Sequence, residues 1–336
     1  MTLNDLSYQA PRLTVDFDVD GRQHGFIELT QPGAGAAYGR VRTPISVLRH
    51  GEGPVITIIG GVHGDEPEGS ITLLRMAREL AIDSVSGCLI LLPCLNLPAV
   101  QQGQRLSQID ERDMDQVFPG TSGGSLNQRL AQFVSQQILP RSDLILDLRS
   151  GGGSMRFANS AVVHQHADKQ LQKQAEASMI AFGAPNSVRL LAPATPGSLF
   201  GTAEQLGIPY VKSELGGGST SSAETLGIAW RGCHNVMMQA GLLDAELMLC
   251  ATRMLEVRDS DAFVIAPADG LFDIRARLGQ EIWHGNLLAQ LIDPLQNGAM
   301  PVDVQVPSNG ALLALRHGGH VQAGDCLAII ADEVQR

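Results

Sequence analysis

Lysine is almost missing from this chain: of 336 residues, 24 are basic, and only Lys169, Lys173 and Lys212 are lysines. Against 35 acidic side chains the formal net charge is −11. A nucleic-acid binder shows a basic face, and a membrane-surface protein needs basic patches. Neither partner is expected. Long apolar runs are missing too: no stretch approaches the ~20 residues of a membrane span. The opening, MTLNDLSYQAPRLTV, has no basic region followed by an apolar one, so no signal peptide is expected and the expected location is cytoplasmic. Cysteine is sparse. Cys88, Cys94, Cys233, Cys250 and Cys326 are scattered and none has CxxC spacing. They read as free thiols of a reducing compartment rather than as a thiolate zinc site.

What is present is chain enough for about two domains, with 44% apolar residues to build a core. From about 43 to 255, short β-branched runs alternate with helical patterns. ISVLR (45–49), VITIIGG (55–61), CLILLP (88–93), LILDL (144–148) and IPYVKSEL (208–215) read as strands. EGSITLLRMARELA (68–81) reads as a helix with Ile71, Leu74, Ala77 and Leu80 on its apolar stripe. Ser125 and Gln128 spell a capping box before a helix stopped by Pro140. Asp168 to Phe182 is amphipathic, with Gly183 as its terminator, and Thr195–Pro196 open another helix. Such alternation predicts an α/β sheet with helices on its faces.

The texture changes after about 257, where segments are short, strand-like and rich in glycine. Gly279, Ile282, Gly285, Asn286, Leu288 and Ala289 recur 39 residues later as Gly318, Val321, Gly324, Asp325, Leu327 and Ala328. The expected division is an α/β domain over 1–256 and a repeated all-β module, barrel-sandwich-like, over 257–336. The repeat resembles the halves of biotinyl and lipoyl carrier domains. Those domains carry their cofactor on a lysine, and none exists here after Lys212. The resemblance therefore implies architecture without a swinging arm. The module is expected to cover a pocket mouth or to build a homo-oligomer.

GGVHGDEPEG (60–69) is the sharpest local signal. It joins a strand to a helix, and His63-x-x-Glu66 can place an imidazole and a carboxylate on one metal ion. The competing reading is a glycine turn with a helix-capping acid. Asp65 and Glu68 flank the pair, and Glu214 in SELGGG (213–218) ends a strand where a general base would stand.

GGVHGDEPEG, GQRLSQIDERDMDQVFPG (103–120), DLRSGG (147–152) and SELGGG occur in one order and spacing. The set resembles the succinylglutamate desuccinylase/aspartoacylase family of zinc carboxypeptidase-like proteins, and within it the bacterial N-acetyl-diaminobutyrate deacetylases. The resemblance implies a mixed sheet with helices on both faces. It implies zinc held by His63 and Glu66, Glu214 as the catalytic glutamate and Arg105 on the substrate carboxylate. The partner it implies is a small N-acyl amino acid.

Three positions depart from that pattern. The histidine of the family's DxHSG motif, its third zinc ligand, is Arg149 here, and the Asn-Arg pair before the FPG turn is Asp115-Gln116. A guanidinium stays protonated and offers no lone pair to a metal. Arg149 is instead expected to stand in for the metal's charge, pairing with Glu66 and, as a second candidate, Glu214. Asp115 in place of the family's residue would favour a cationic ligand. His164, His166 and His234 are candidate substitute ligands. Two functions follow: a zinc-dependent deacylase of N-acyl amino acids, or a non-catalytic relative that binds a small ligand or partner through the old pocket.

Overall fold

A computed structural model describes residues 10–30, 39–192, 195, 197–248, 250–258 and 260–334. Pro196 lies outside the described residues. The helix that Thr195–Pro196 were to open is Leu199–Gln205, capped by Ser198 Oγ accepting the Gly201 N–H.

Three strands, β1 (Arg12–Leu13), β2 (Gly21–Thr30) and β3 (Arg40–His50), lead in as antiparallel neighbours. Strands and helices then alternate: β4 (Val55–Gly60), α1 (Pro67–Glu79), β5 (Gly87–Leu92), α2 (Leu97–Gln102), α3 (Leu126–Phe133) and β6 (Leu144–Arg149). They continue as β7 (Met155–His164), α4 (Lys169–Phe182), β8 (Asn186–Leu190), α5 (Leu199–Gln205), β9 (Tyr210–Gly217) and α6 (Ala223–Gln239). The central strands β5, β4, β6 and β9 run parallel to one another. β5 and β6 are buried along their whole length, which is why β5 reads as a continuous apolar run rather than an alternating one; in β6 the buried run is broken by the charged pair Asp147 and Arg149. Two cores result. One packs α1, α4 and α6 on one face; the other packs α3 and α5 on the opposite face. The sheet is mixed, because β3 joins β5, and β7 joins β9, antiparallel.

Helix α1 corrects one expectation. Ile71 and Leu74 are 42% and 51% exposed, and the buried stripe is Leu73, Met76, Ala77 and Leu80. The stripe is rotated because Gly69 lies against the sheet. A Cβ on Gly69 would fall 2.7 Å from the Leu148 carbonyl oxygen, so α1 docks through its smallest residue. The α6 helix is absent from the sequence reading, since Gly227 and Gly232 interrupt its pattern. Gly232 faces Phe182 of α4, where a Cβ would meet the ring at 2.5 Å. The ten-residue β7 was missed as well.

The C-terminal strands are β10 (Arg253–Val257), β11 (Phe263–Ile265), β12 (Gly270–Ile274), β13 (Glu281–Ile282) and β14 (Leu287–Ile292). They end with β15 (Val302–Gln305), β16 (Gly310–Arg316), β17 (His320–Val321) and β18 (Cys326–Glu333). The 39-residue repeat maps β13 onto β17 and β14 onto the start of β18. Gly279, Gly318, Gly285 and Gly324 hold φ of 79°, 113°, 80° and 94° at the matching turns, which explains why glycine recurs there. The strands β12, β14, β15 and β17 form a separate four-stranded sheet. β10 and β18 continue the large sheet beyond β8, and β16 returns to pair with β7. The pairings β7–β8–β10–β18–β16–β7 therefore close a small barrel-like ring. No helix among the described residues is long and apolar enough to cross a membrane. All five cysteines are free.

Candidate functional site

The C-terminal ends of β4, β6 and β9 lie side by side, and the loops leaving them meet in one crevice, the usual place for a ligand on an open α/β sheet. Glycine makes the 60–66 loop possible. Gly61 holds φ +62°, and a Cβ there would sit 2.7 Å from Ser70 Oγ. A Cβ on Gly64 would fall 2.0 Å from the Ala99 backbone. The chain is thus pinned between α1 and α2, and the turn aims His63 and Glu66 at each other. His63 Nδ1 lies 2.6 Å from Glu66 Oε1, and the second Glu66 oxygen accepts the Ser150 N–H at 3.2 Å. Glu66 is the N-cap residue before Pro67 and Glu68 lies in the first turn, but the Glu66 side chain bonds His63 rather than the helix N–H groups.

Register brings the other charges together. Asp147 pairs with Lys212, and Arg149 with Glu214, across β6 and β9. Alternate strand residues share a face, so Asp147, Arg149, Tyr210, Lys212 and Glu214 all project into the crevice. Arg149 is buried and its guanidinium donates to two carboxylates. Nε donates to Asp147 at 2.7 Å, Nη2 donates to Asp115 at 3.0 Å, and Nη1 faces His63 Nδ1 at 3.2 Å. Tyr210 donates its hydroxyl to the same Asp147 carboxylate. Arg149 therefore pairs with Asp147 and Asp115, correcting the expected Glu66 and Glu214. Glu66 is taken by His63, and Glu214 lies 3.1 Å from the Lys212 ammonium.

The far side of His63 is also engaged: Nε2 lies 2.8 Å from Asp113 Oδ1. Both ring nitrogens face carboxylates, an arrangement that favours the doubly protonated imidazolium. Burial by itself would lower the His63 pKa, but the bonds to Asp113 and Glu66 outweigh it and the pKa is raised. The contact with Arg149 Nη1 is then a close approach of two cations, tolerated because four carboxylates surround them. Burial likewise opposes the charge of Glu66, Asp113 and Asp115. The His63 contact holds the first two below the usual carboxylate range, and Arg149 holds the third there. Burial raises Glu214 despite Lys212, and pushes the Glu68 carboxyl up to about 7. The Asp65 carboxylate accepts the Gly153 N–H at 2.6 Å, tying the 60–66 loop to the loop after β6.

The remaining expected site residues fall as follows. Arg105 is half exposed, donates to Asp113 at 2.9 Å and approaches Glu66 at 3.9 Å. Gln116 is exposed beside Asp115. Asp115 is spent on Arg149 and does not offer a free anion for a cationic ligand. His164 stacks on Phe200 with ring centroids 4.4 Å apart. His166 pairs with Glu204, and His234 bonds the Trp230 carbonyl. None of the three joins His63 and Glu66. Among the described residues, no group of three or more His, Cys, Asp and Glu side chains is arranged to hold a metal ion. Asp113, Tyr210 and Lys212 were missed. Asp113 stood inside a quoted motif, but no spacing rule links it to a histidine fifty residues earlier.

Residues 52–240 match the succinylglutamate desuccinylase/aspartoacylase catalytic domain. The chain belongs to the succinylglutamate desuccinylase/aspartoacylase family. It is 35% identical to the N-alpha-acetyl-L-2,4-diaminobutyric acid deacetylase of Halomonas elongata over 96% of this chain and 95% of that one. Among solved structures, the product-bound ectoine utilization protein EutE (DoeB) of Ruegeria pomeroyi superposes with TM-score 0.93 at 35% identity, covering 96% of this chain and 98% of that chain. The family member from Rhodobacter sphaeroides gives 0.92 at 32%, covering 97% and 100%. Read on the family pattern, two of the three departures touch each other: Arg149 and Asp115 form one ion pair at 3.0 Å.

Proposed function

We propose that this family member binds a small N-acyl amino acid in the pocket of its deacylase relatives, and that an ion-pair network replaces a zinc centre there. The placement of Arg149 carries the reading. Its guanidinium faces His63 Nδ1 and is braced by Asp147 and Asp115. A cation about 4 Å from a divalent ion is repelled by several kcal/mol even at an effective dielectric of ~20. A catalytic zinc takes about three protein ligands. His63 and Glu66 supply two, and each is already bonded to the other. The residues present do not fit zinc. That the substituted positions 149 and 115 bond each other supports a remodelled site rather than drift.

The ligand class rests on the diaminobutyric acid deacetylase from H. elongata and on Arg105, whose half-exposed guanidinium is available to a carboxylate. The strands after 257 make a barrel-sandwich-like module in this reading, covering the pocket from the β9 side.

One observation favours a hydrolytic reading. Glu214 lies on β9 near its C-terminal end, 12% exposed, with its pKa raised by burial. Such a carboxylate suits a general base that takes a proton from water and passes it to a leaving amine. Calorimetry and an amine-release assay with N-acetyl-L-2,4-diaminobutyrate separate the two. Binding without turnover is expected. Turnover abolished by Glu214→Gln overturns the proposal in favour of hydrolysis, and absence of binding overturns the ligand class.

A further inference from the structure

Beside the charged network lies a cavity of about 210 Å3 that the family resemblance does not explain. Four of the five strands of the closed ring line it, through Phe157 and Val162 on β7, Val188 on β8, Leu313 on β16 and Ile329 on β18. Phe263 on β11 forms part of the lining and is itself 40% exposed. The polar residues on that lining are Ser160, Lys212 and Glu214. Lys212 and Glu214 are the same side chains that register places in the crevice beside Asp147 and Arg149. The cavity and the crevice therefore share one wall, and the shared wall carries an ion pair.

We infer that the ligand site extends past Lys212 and Glu214 into this cavity, which takes the hydrocarbon tail of an N-acyl group longer than acetyl. The inference rests on the proposed ligand class and sharpens it. A cavity of ~150 Å3 lined by aliphatic and aromatic residues accommodates a benzene ring, so 210 Å3 has room for about six to eight carbon atoms. An acetyl group would leave most of that space empty. The charged groups of an amino acid do not suit it either, since a buried charge needs a partner and both ionic groups on the lining already pair with each other at 3.1 Å. Arg105, the candidate for the ligand carboxylate, is not among the lining residues. A ligand seated with its carboxylate on Arg105 and its amide near Glu214 would direct its acyl tail into the ring.

Titrating N-acetyl-, N-butanoyl- and N-hexanoyl-L-2,4-diaminobutyrate by calorimetry tests this. Burial gains about fourfold in affinity per methylene, so the hexanoyl compound is expected to bind on the order of a hundredfold tighter than the acetyl one. Ile329→Phe, which fills the cavity, is expected to flatten the series. Should that variant fold poorly, Phe263→Ser at the exposed lip is expected to cut the hexanoyl-to-acetyl ratio by about tenfold through lost apolar contact. Equal affinities across the three probes, with the acetyl compound binding, overturn this inference and leave the ligand class standing. No binding by any probe overturns both. A steep series that neither variant alters overturns the assignment to this cavity.

Discussion

Replacing Arg149 by methionine removes the guanidinium and keeps a long apolar side chain of comparable reach. Asp147 is fully buried and would retain only the Tyr210 hydroxyl. Removing one partner of a buried ion pair leaves an uncompensated charge and costs about 3–5 kcal/mol. Asp115 is 26% exposed, and its loss of Arg149 adds little, because water screens partly exposed pairs. The expected destabilisation of Arg149→Met is therefore about 3–5 kcal/mol, against about 1 kcal/mol for Asp115→Asn. Urea unfolding followed by tryptophan fluorescence measures both. The double variant Arg149→Met/Asp147→Asn should recover more than half of the loss, since it removes the stranded charge along with its partner. A loss below ~1 kcal/mol for Arg149→Met refutes the claim that this guanidinium neutralises the crevice. So does strict additivity of the double variant, because groups in contact should couple.

Other outcomes follow from the same structure. Tyr210→Phe deletes a hydroxyl donated to a buried carboxylate and is expected to cost about 1.5–3 kcal/mol in the same unfolding assay. Burial, with Lys212 nearby, pushes His164 down to about 3. The unfolded chain therefore binds a proton there below about pH 6.5 that the folded chain refuses. Stability is unaffected above that pH and falls as pH drops from 6.5 toward 3. Relative to His164→Asn, the wild type should lose about 2 kcal/mol more between pH 7 and 5. Gly232→Val places side-chain atoms into the Phe182 ring and should cost about 1–3 kcal/mol by overpacking the α4–α6 contact, visible as a lower thermal midpoint.

The parallel core strands were legible because burial on both faces leaves mostly apolar runs, as in VITIIG and CLILL. The capping box at Ser125 and Gln128 is likewise local chemistry, and the structure keeps both of its bonds. The α6 helix was not legible, since Gly227 and Gly232 break its propensity while a tertiary contact with Phe182 requires one of them. The stripe on α1 was misplaced because a glycine, not an aliphatic residue, makes the closest approach to the sheet. At the site, the motifs placed His63, Glu66, Glu214, Arg105 and Arg149 in one crevice. Of the partners of Arg149, Asp147 lies two residues away on the same face of β6, a spacing the strand period could have revealed. Asp115 arrives from a separate segment, brought in by chain closure that leaves no spacing in the sequence.

The claim that a guanidinium stands in place of a metal is tested most directly by the zinc content of protein purified without chelator, for the wild type and for Arg149→His. Less than ~0.2 zinc per wild-type chain is expected, and close to one per chain in the variant, where a second imidazole completes a three-ligand set with His63 and Glu66. Stoichiometric zinc in the wild type, or no gain in the histidine variant, would contradict it.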